Sequence, residues 1–111
     1  MTPDDVRAIA LGLPEVTEGD HHGKRAYRLG TRILATQWAD TQLNVMLGES
    51  EARAAEGGPC SLLWWGKSLS GVAVDLSTAS PELVGELLEE AWTRRAPARL
   101  LRDRGPAPDE A

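Results

Sequence analysis

The side chains of this chain that could do chemistry are few, and they do not form a complete catalytic set. Cys60 is the only cysteine, and His21 and His22 are the only histidines. A thiol and an imidazole can act together as a nucleophile and its base. Cys60, however, follows Gly57-Gly58-Pro59 and carries no motif of a reactive thiol. We therefore expect Cys60 to be a free, partly buried cysteine.

Other catalytic and cofactor sites are disfavoured by spacing. Neighbouring histidines in an extended segment point to opposite faces, so His21-His22 does not predict a metal site. A triad built on Ser61 or Ser70 lacks the glycine pattern of a nucleophile elbow. Gly57-Gly58 lacks the lysine and spacing of a phosphate loop. We expect no enzyme activity, no catalytic residue, no metal and no cofactor.

Basic residues give a stronger signal, although the chain has a net charge of -5 at pH 7. Four cations fall within nine residues that contain no acid, in and around a predicted hairpin, and one more lysine lies in a later loop. The DNA-contact candidates are Lys24, Arg25, Arg28, Arg32 and Lys67. Such cations could neutralise phosphates. The competing interpretation is that they are solvated strand edges.

Tryptophan is the other unusual feature, because the chain has four Trp, one Tyr and no Phe. Trp38, Trp64 and Trp65 fall on predicted strands. Packing in the core is one interpretation of all three. However, Trp64 and Trp65 are consecutive and should point to opposite faces, so at least one of them should lie on the less covered face. The alternative function is therefore a concavity for a small aromatic or planar ligand.

The candidate ligand-binding residues are His22, Tyr27, Trp38 and Trp65. We expect this site on the sheet face around Trp38, Trp65 and Gly71.

Helices at both ends must position these side chains. Thr2 is a predicted cap with Asp5 three residues later, like a capping box, and Pro3 suits the first helical position. Near the other end, Ser80 and Pro81 predict the start of a helix with one apolar stripe. A short helix in the middle should be capped by Ser50.

Short apolar runs between turn signals predict the strands. We predict an antiparallel meander of three strands, with Gly30 in a tight turn, at residues 25–29, 33–38 and 43–47. Residues 61–65 and 71–76 should form two more strands. The polar segment 15–23 predicts a short edge strand or a loop.

A family resemblance follows from the order of the motifs, which are Leu11-Gly12-Leu13-Pro14-Glu15-Val16-Thr17-Glu18, His22-Gly23-Lys24, Tyr27-Arg28-Leu29-Gly30, Ile33-Leu34-Ala35-Thr36, Leu43-Asn44-Val45-Met46-Leu47, Trp65-Gly66-Lys67, Val74-Asp75-Leu76 and Ala96-Pro97-Ala98-Arg99-Leu100. Over residues 2–101 the chain resembles the YjbR/MmcQ family of small bacterial proteins with a CyaY-like fold. The resemblance implies a "double wing" arrangement and DNA binding. Two positions depart from the family pattern. Gly71 stands where we expect an aromatic residue, which should open a cavity beside the sheet, and Arg32 stands where the family usually has Lys.

Together these observations predict an α+β fold with one antiparallel sheet of about five strands and with the N- and C-terminal helices packed on one face. The length of 111 residues fits one domain, which we place at residues 1–104, followed by a flexible tail at residues 105–111. No run approaches the roughly 20 apolar residues of a membrane span, so we expect a cytoplasmic protein without a membrane partner. The predicted function is weak, non-enzymatic DNA binding through the basic hairpin, with small-ligand binding as the alternative.

Overall fold

The computed structural model describes residues 1–104, and the predicted flexible tail at residues 105–111 lies outside them. The elements, in chain order, are α1 (Pro3–Leu11), β1 (Val16–His21), β2 (Lys24–Leu29), β3 (Arg32–Ala39), β4 (Gln42–Met46), α2 (Glu49–Ala55), β5 (Cys60–Trp65), β6 (Ser68–Asp75), α3 (Pro81–Arg95) and α4 (Ala98–Arg104). The strands form one antiparallel sheet in the order β1-β2-β3-β4-β6-β5. The α+β class and the single sheet are confirmed, with six strands rather than about five.

The additional strand is β1, which occupies most of the polar segment 15–23. It pairs with β2 along its whole length, from Val16 opposite Leu29 to His21 opposite Lys24. His22 and Gly23 connect the two strands, and both have positive φ, 53° and 83°. Two consecutive positive φ values match the twist of a two-residue hairpin turn, so a polar sequence with little β propensity still forms an edge strand.

The two terminal helices begin where the caps predict. The Asp5 backbone N–H donates to Thr2 Oγ1 at 3.2 Å, and the Thr2 N–H donates to the Asp5 carboxylate at 2.9 Å, which completes the capping box. The Leu83 N–H donates to Ser80 Oγ at 3.1 Å.

The predicted cap of the short middle helix was wrong. α2 begins at Glu49 and is preceded by Gly48, with no side-chain cap. The Ser50 hydroxyl lies inside the first turn and donates instead to the Glu51 carboxylate at 3.2 Å.

One face of the sheet carries the core. Residues directly opposite each other on paired strands share a face, and one such row runs Tyr27, Ala35, Val45, Val72 and Leu62 across five strands. The first four are fully buried. Helices α1 and α3 pack against each other and α3 packs on β3 and β4, while α2 packs on β6. We call this side of the sheet the covered face.

The alternate residues form the other side, which we call the open face. Its middle row is Ala26, Thr36, Asn44, Ala73 and Ser61, all short side chains and three of them polar.

None of the helices in residues 1–104 is long and apolar enough to cross a membrane.

Candidate ligand site on the open face of the sheet

A concavity of about 520 Å³ lies on the open face, and we call it the open-face site. Its floor is the middle row of short polar residues, chiefly Thr36 on β3 and Asn44 on β4, which lie directly opposite each other. Long side chains surround this row, so the short residues leave a depression between them. The volume falls within the range of about 300–1,000 Å³ that small-molecule sites occupy.

Hydrogen bonding orients the amide of Asn44. Gln42, two residues earlier on the same face of β4, donates from Nε2 to Asn44 Oδ1 at 2.9 Å. The Nδ2 group of Asn44 makes no hydrogen bond to any part of the chain that the structure describes. Asn44 is nevertheless a buried side chain. The Nδ2 atom itself is not buried without a partner, and it is accessible from the concavity that Asn44 lines, so it is a donor available to a ligand.

One end of the site is formed by Trp38, whose side chain is 51% exposed, and by His21. Lys24 lies directly opposite His21 on the neighbouring strand, and its Nζ lies 5.3 Å from the ring centroid of Trp38. This is cation–π distance. The lysine therefore holds the indole in place while leaving half of its surface exposed.

The other end is formed by Leu63 and Met46 with Trp65, which is 82% exposed. Trp64 also borders the site, but its ring lies 6.0 Å from the Arg53 guanidinium of α2. The sheet register shifts between Leu63 and Trp64, which is the position of a β-bulge. Bulges commonly re-aim side chains, and here consecutive Trp64 and Trp65 both border the concavity.

The structure brings together two of the four predicted ligand-binding residues. Trp38 and Trp65 lie at the two ends of the site. Tyr27 lies instead on the covered face and is fully buried, where burial raises the pKa of its hydroxyl against the opposing effect of the Arg25 guanidinium. His22 is an exposed turn residue, and His21 beside it lines the site, with the two ring centroids 4.4 Å apart.

The floor was missed by sequence reasoning, although its signal was present. In β4 the polar residues Gln42 and Asn44 alternate with buried Leu43 and Val45. Strict alternation of this kind indicates a strand with one partly solvated face. Thr36 lies two residues before Trp38 on β3. The alternation in β4 and the position of Thr36 together indicated a row of polar groups on the same face as the Trp38 indole.

The predicted DNA-contact residues lie in several places rather than in one patch. Lys24 and Arg28 are on the open face, and the Arg28 Nη2 donates to the Asp20 carbonyl at 3.0 Å. Arg25 is on the opposite face, with Nε 3.0 Å from the Glu18 carboxylate.

The two remaining cations lie away from this pair. Arg32, at the start of β3, borders a depression formed with Arg95 and Leu100 from the helical layer. Lys67 lies in the turn between β5 and β6, at the opposite edge of the sheet from β1 and β2.

The absence of an aromatic side chain at Gly71 does not itself open a cavity. It has φ of 155°, and a Cβ at this position would lie 1.9 Å from the Val45 carbonyl oxygen. The close approach of β6 to β4 therefore excludes any side chain here. Its partners Met46 and Leu63 line the open-face site, so a concavity does lie beside Gly71. The surrounding side chains form that concavity, since a Cβ at Gly71 would point into backbone.

The other reactive groups remain isolated. Cys60 is buried on the covered face opposite Val74, and burial raises the pKa of its thiol, which disfavours the reactive thiolate. Within residues 1–104, no three His, Cys, Asp or Glu side chains lie close enough together to hold a metal ion.

A second depression, of about 850 Å³, lies between α1 and α3. Ala8, Gly12 and Gly85 line it together with Glu86 and Glu90. None of its lining residues in the described part of the chain is aromatic, so it offers a flat ligand less than the open-face site does.

Comparisons of the chain with protein-family models, curated proteins and solved structures give no match.

Proposed function

We propose that this protein binds a small planar molecule in the open-face site. The observation that carries the proposal is the pair of exposed indoles, Trp38 and Trp65, at the two ends of a floor with an unpartnered amide donor. Large aromatic side chains contribute most when buried, and stacking adds about 0.5–1.5 kcal/mol to the area term. A flat ligand would bury surface that the fold alone leaves in water.

Binding, rather than catalysis, fits the chemistry of the lining. The Ser70 hydroxyl donates to the Ser68 carbonyl at 3.4 Å, and no base lies in position to activate it among the groups that the structure describes. Of the residues that the structure describes, His21 is the one His, Lys, Arg, Asp or Glu that lines the site. A single imidazole without a paired nucleophile supports recognition better than a reaction.

Saturation-transfer NMR with naphthalene and coumarin as flat probes tests this function. We expect transfer to at least one probe, with dissociation constants at least tenfold weaker in Trp38→Ala and Trp65→Ala. Leu101→Ala is the control, because it removes an exposed apolar side chain on α4 that does not line the open-face site. Absence of transfer to both probes, or equal weakening by Leu101→Ala, would contradict the proposal.

DNA binding through the basic hairpin is the second candidate, and one observation favours it. Lys24 and Arg28 share the open face with the exposed indole of Trp38, and cations beside an aromatic face suit a nucleic acid. The scattered positions of Arg25, Arg32 and Lys67 favour it less. The resemblance to the YjbR/MmcQ family and the cytoplasmic location also stay proposals, supported by the α+β fold and by the composition.

Anisotropy of a labelled mixed-sequence duplex at about 50 mM and 200 mM salt tests this candidate, because phosphate contacts weaken steeply over that range. We expect Arg28→Glu to weaken any binding more than Arg32→Glu does, since only Arg28 faces the open side. Equal effects of the two variants would support the hairpin as a whole, and binding unchanged by both would exclude the hairpin.

A further inference from the structure

We infer that the ligand of the open-face site is uncharged and presents a cyclic carbonyl group to the floor, an inference that rests on the proposed function. The observation is the unpartnered Nδ2 of Asn44, held in a defined orientation beside the hydroxyl of Thr36.

The floor of the open-face site offers a hydrogen-bond donor at Asn44. Because Gln42 Nε2 donates to Asn44 Oδ1 at 2.9 Å, the acceptor of this amide is already engaged. Its Nδ2 group has no hydrogen-bond partner within residues 1–104. A ligand group that accepts a hydrogen bond, as carbonyl oxygens do, would therefore gain a contact over Asn44.

Thr36 is the second polar side chain of the floor. It lies directly opposite Asn44 across β3 and β4. Opposed residues of this kind have Cβ atoms about 4.5–5.5 Å apart, so one oxygen seated above the pair can reach both side chains. A carbonyl oxygen has two lone pairs and can accept from an amide N–H and a hydroxyl together.

The charged residues in and near the lining limit the charge of the ligand. Among residues 1–104, the lining contains His21 and no Lys, Arg, Asp or Glu. The nearby cation, Lys24, lies over the Trp38 ring rather than in the lining. A charged ligand group would lose hydration without gaining an ion pair, which is costly in a partly enclosed site. The ligand class is therefore a flat, neutral ring system with a ring carbonyl, such as a lactone or a lactam.

Three probes of similar size separate the parts of this inference. Coumarin is flat and neutral and has a ring carbonyl, naphthalene lacks the carbonyl, and coumarin-3-carboxylate adds a negative charge. Dissociation constants measured by NMR titration should be about tenfold lower for coumarin than for naphthalene, which corresponds to about one net hydrogen bond. The carboxylate should bind more weakly than coumarin.

Two variants assign the preference to the floor. Asn44→Leu keeps a similar shape without the donor, and it should reduce the preference for coumarin over naphthalene from about tenfold to about onefold to twofold. Thr36→Val is nearly isosteric and should reduce the preference by a smaller factor, so the inference remains testable if Asn44→Leu fails to fold.

Each outcome separates this inference from the proposed function. Equal affinities for coumarin and naphthalene that still depend on Trp65 would overturn the carbonyl inference and leave the binding function standing. Tightest binding of the carboxylate would overturn the uncharged class. Absence of binding by all three probes would overturn both, and a coumarin preference unchanged in both variants would place the carbonyl elsewhere.

Discussion

The two faces of the sheet are built from alternating residues of the same strands, yet they differ in what they bury. On β4, Leu43 and Val45 are fully buried beneath the helical layer, whereas Asn44 between them forms the floor of the open-face site. The covered face combines apolar side chains with helices from both ends of the chain. The open face combines short polar side chains with exposed indoles. Stability therefore resides mainly on one face, which leaves the other available for recognition.

The tryptophans show the same difference within one residue type. Trp92 on α3 is 1% exposed, and its indole N–H donates to the Pro14 carbonyl at 2.9 Å. Trp65 is 82% exposed. A buried indole ordinarily finds a hydrogen-bond partner for its N–H, as Trp92 does. Trp65 gains little burial from the fold, and this exposure supports the proposed ligand site.

Truncation of these two tryptophans should show the largest contrast in stability. Trp92→Ala should lower the free energy of unfolding by about 3–5 kcal/mol, because it removes a large core side chain. Trp65→Ala should change it by less than about 0.5 kcal/mol, as is usual for surface positions. Urea unfolding followed by circular dichroism measures both. Comparable losses would mean that the open face also supports the fold.

Neighbouring residues on β4 extend the contrast to a single strand. Leu43→Ala should cost about 2–5 kcal/mol of unfolding free energy through lost burial and a cavity. Asn44→Ala should cost about 1 kcal/mol or less, the typical net worth of one hydrogen bond. The same urea experiment checks this pair. A cost for Asn44→Ala as large as that for Leu43→Ala would show that the floor is structural.

Gly71 offers a test of the backbone between the two faces. Gly71→Ala should destabilise the protein by about 1–3 kcal/mol, since overpacking forces the backbone to shift and the new Cβ would meet the Val45 carbonyl oxygen at 1.9 Å. Thermal unfolding measures the loss. Gly19→Ala is a matched control on edge strand β1, because a Cβ there meets nothing within 4 Å. Equal unfolding temperatures for the two variants would contradict the close approach.

The smallest expected effect concerns pH. Glu15 accepts two hydrogen bonds from the Arg99 guanidinium at 2.8 and 2.9 Å, and this contact lowers the pKa of the carboxyl. A lowered folded-state pKa means that the stabilisation is present at neutral pH and is lost as acid protonates Glu15, below about pH 4. Both groups are exposed, so the effect should be slight.

Glu15→Gln should therefore flatten the acid limb of the stability curve, and unfolding temperatures between about pH 3 and pH 6 measure it. An unchanged acid limb would show that the pair does not hold α4 in solution. A large change at neutral pH would show that the contact contributes more than an exposed ion pair should.

Local signals predicted much of this fold, and contacts between distant strands explain what they missed. The caps at Thr2 and Ser80 are decided by residues within one helical turn, so both helix starts were predictable. The facing of Tyr27 was not, because alternation along β2 separates the two faces of the strand without showing which face the helices cover. The same limit applies to Gly71, whose role depends on the Val45 carbonyl of a neighbouring strand. The sequence predicted His22 in the site, whereas His21 lines it, because His22 belongs to the turn and His21 is the last residue of β1.

The most direct test of the central claim uses the indole N–H signals of the four tryptophans in heteronuclear NMR spectra, assigned by single Trp→Phe variants and titrated with coumarin. We predict saturable shifts for Trp38 and Trp65, at the two ends of the open-face site, and an unmoved signal for Trp92, whose N–H is held by Pro14. Shifts confined to Trp92, or no shift at any indole, would contradict the assignment of the open face as the binding site.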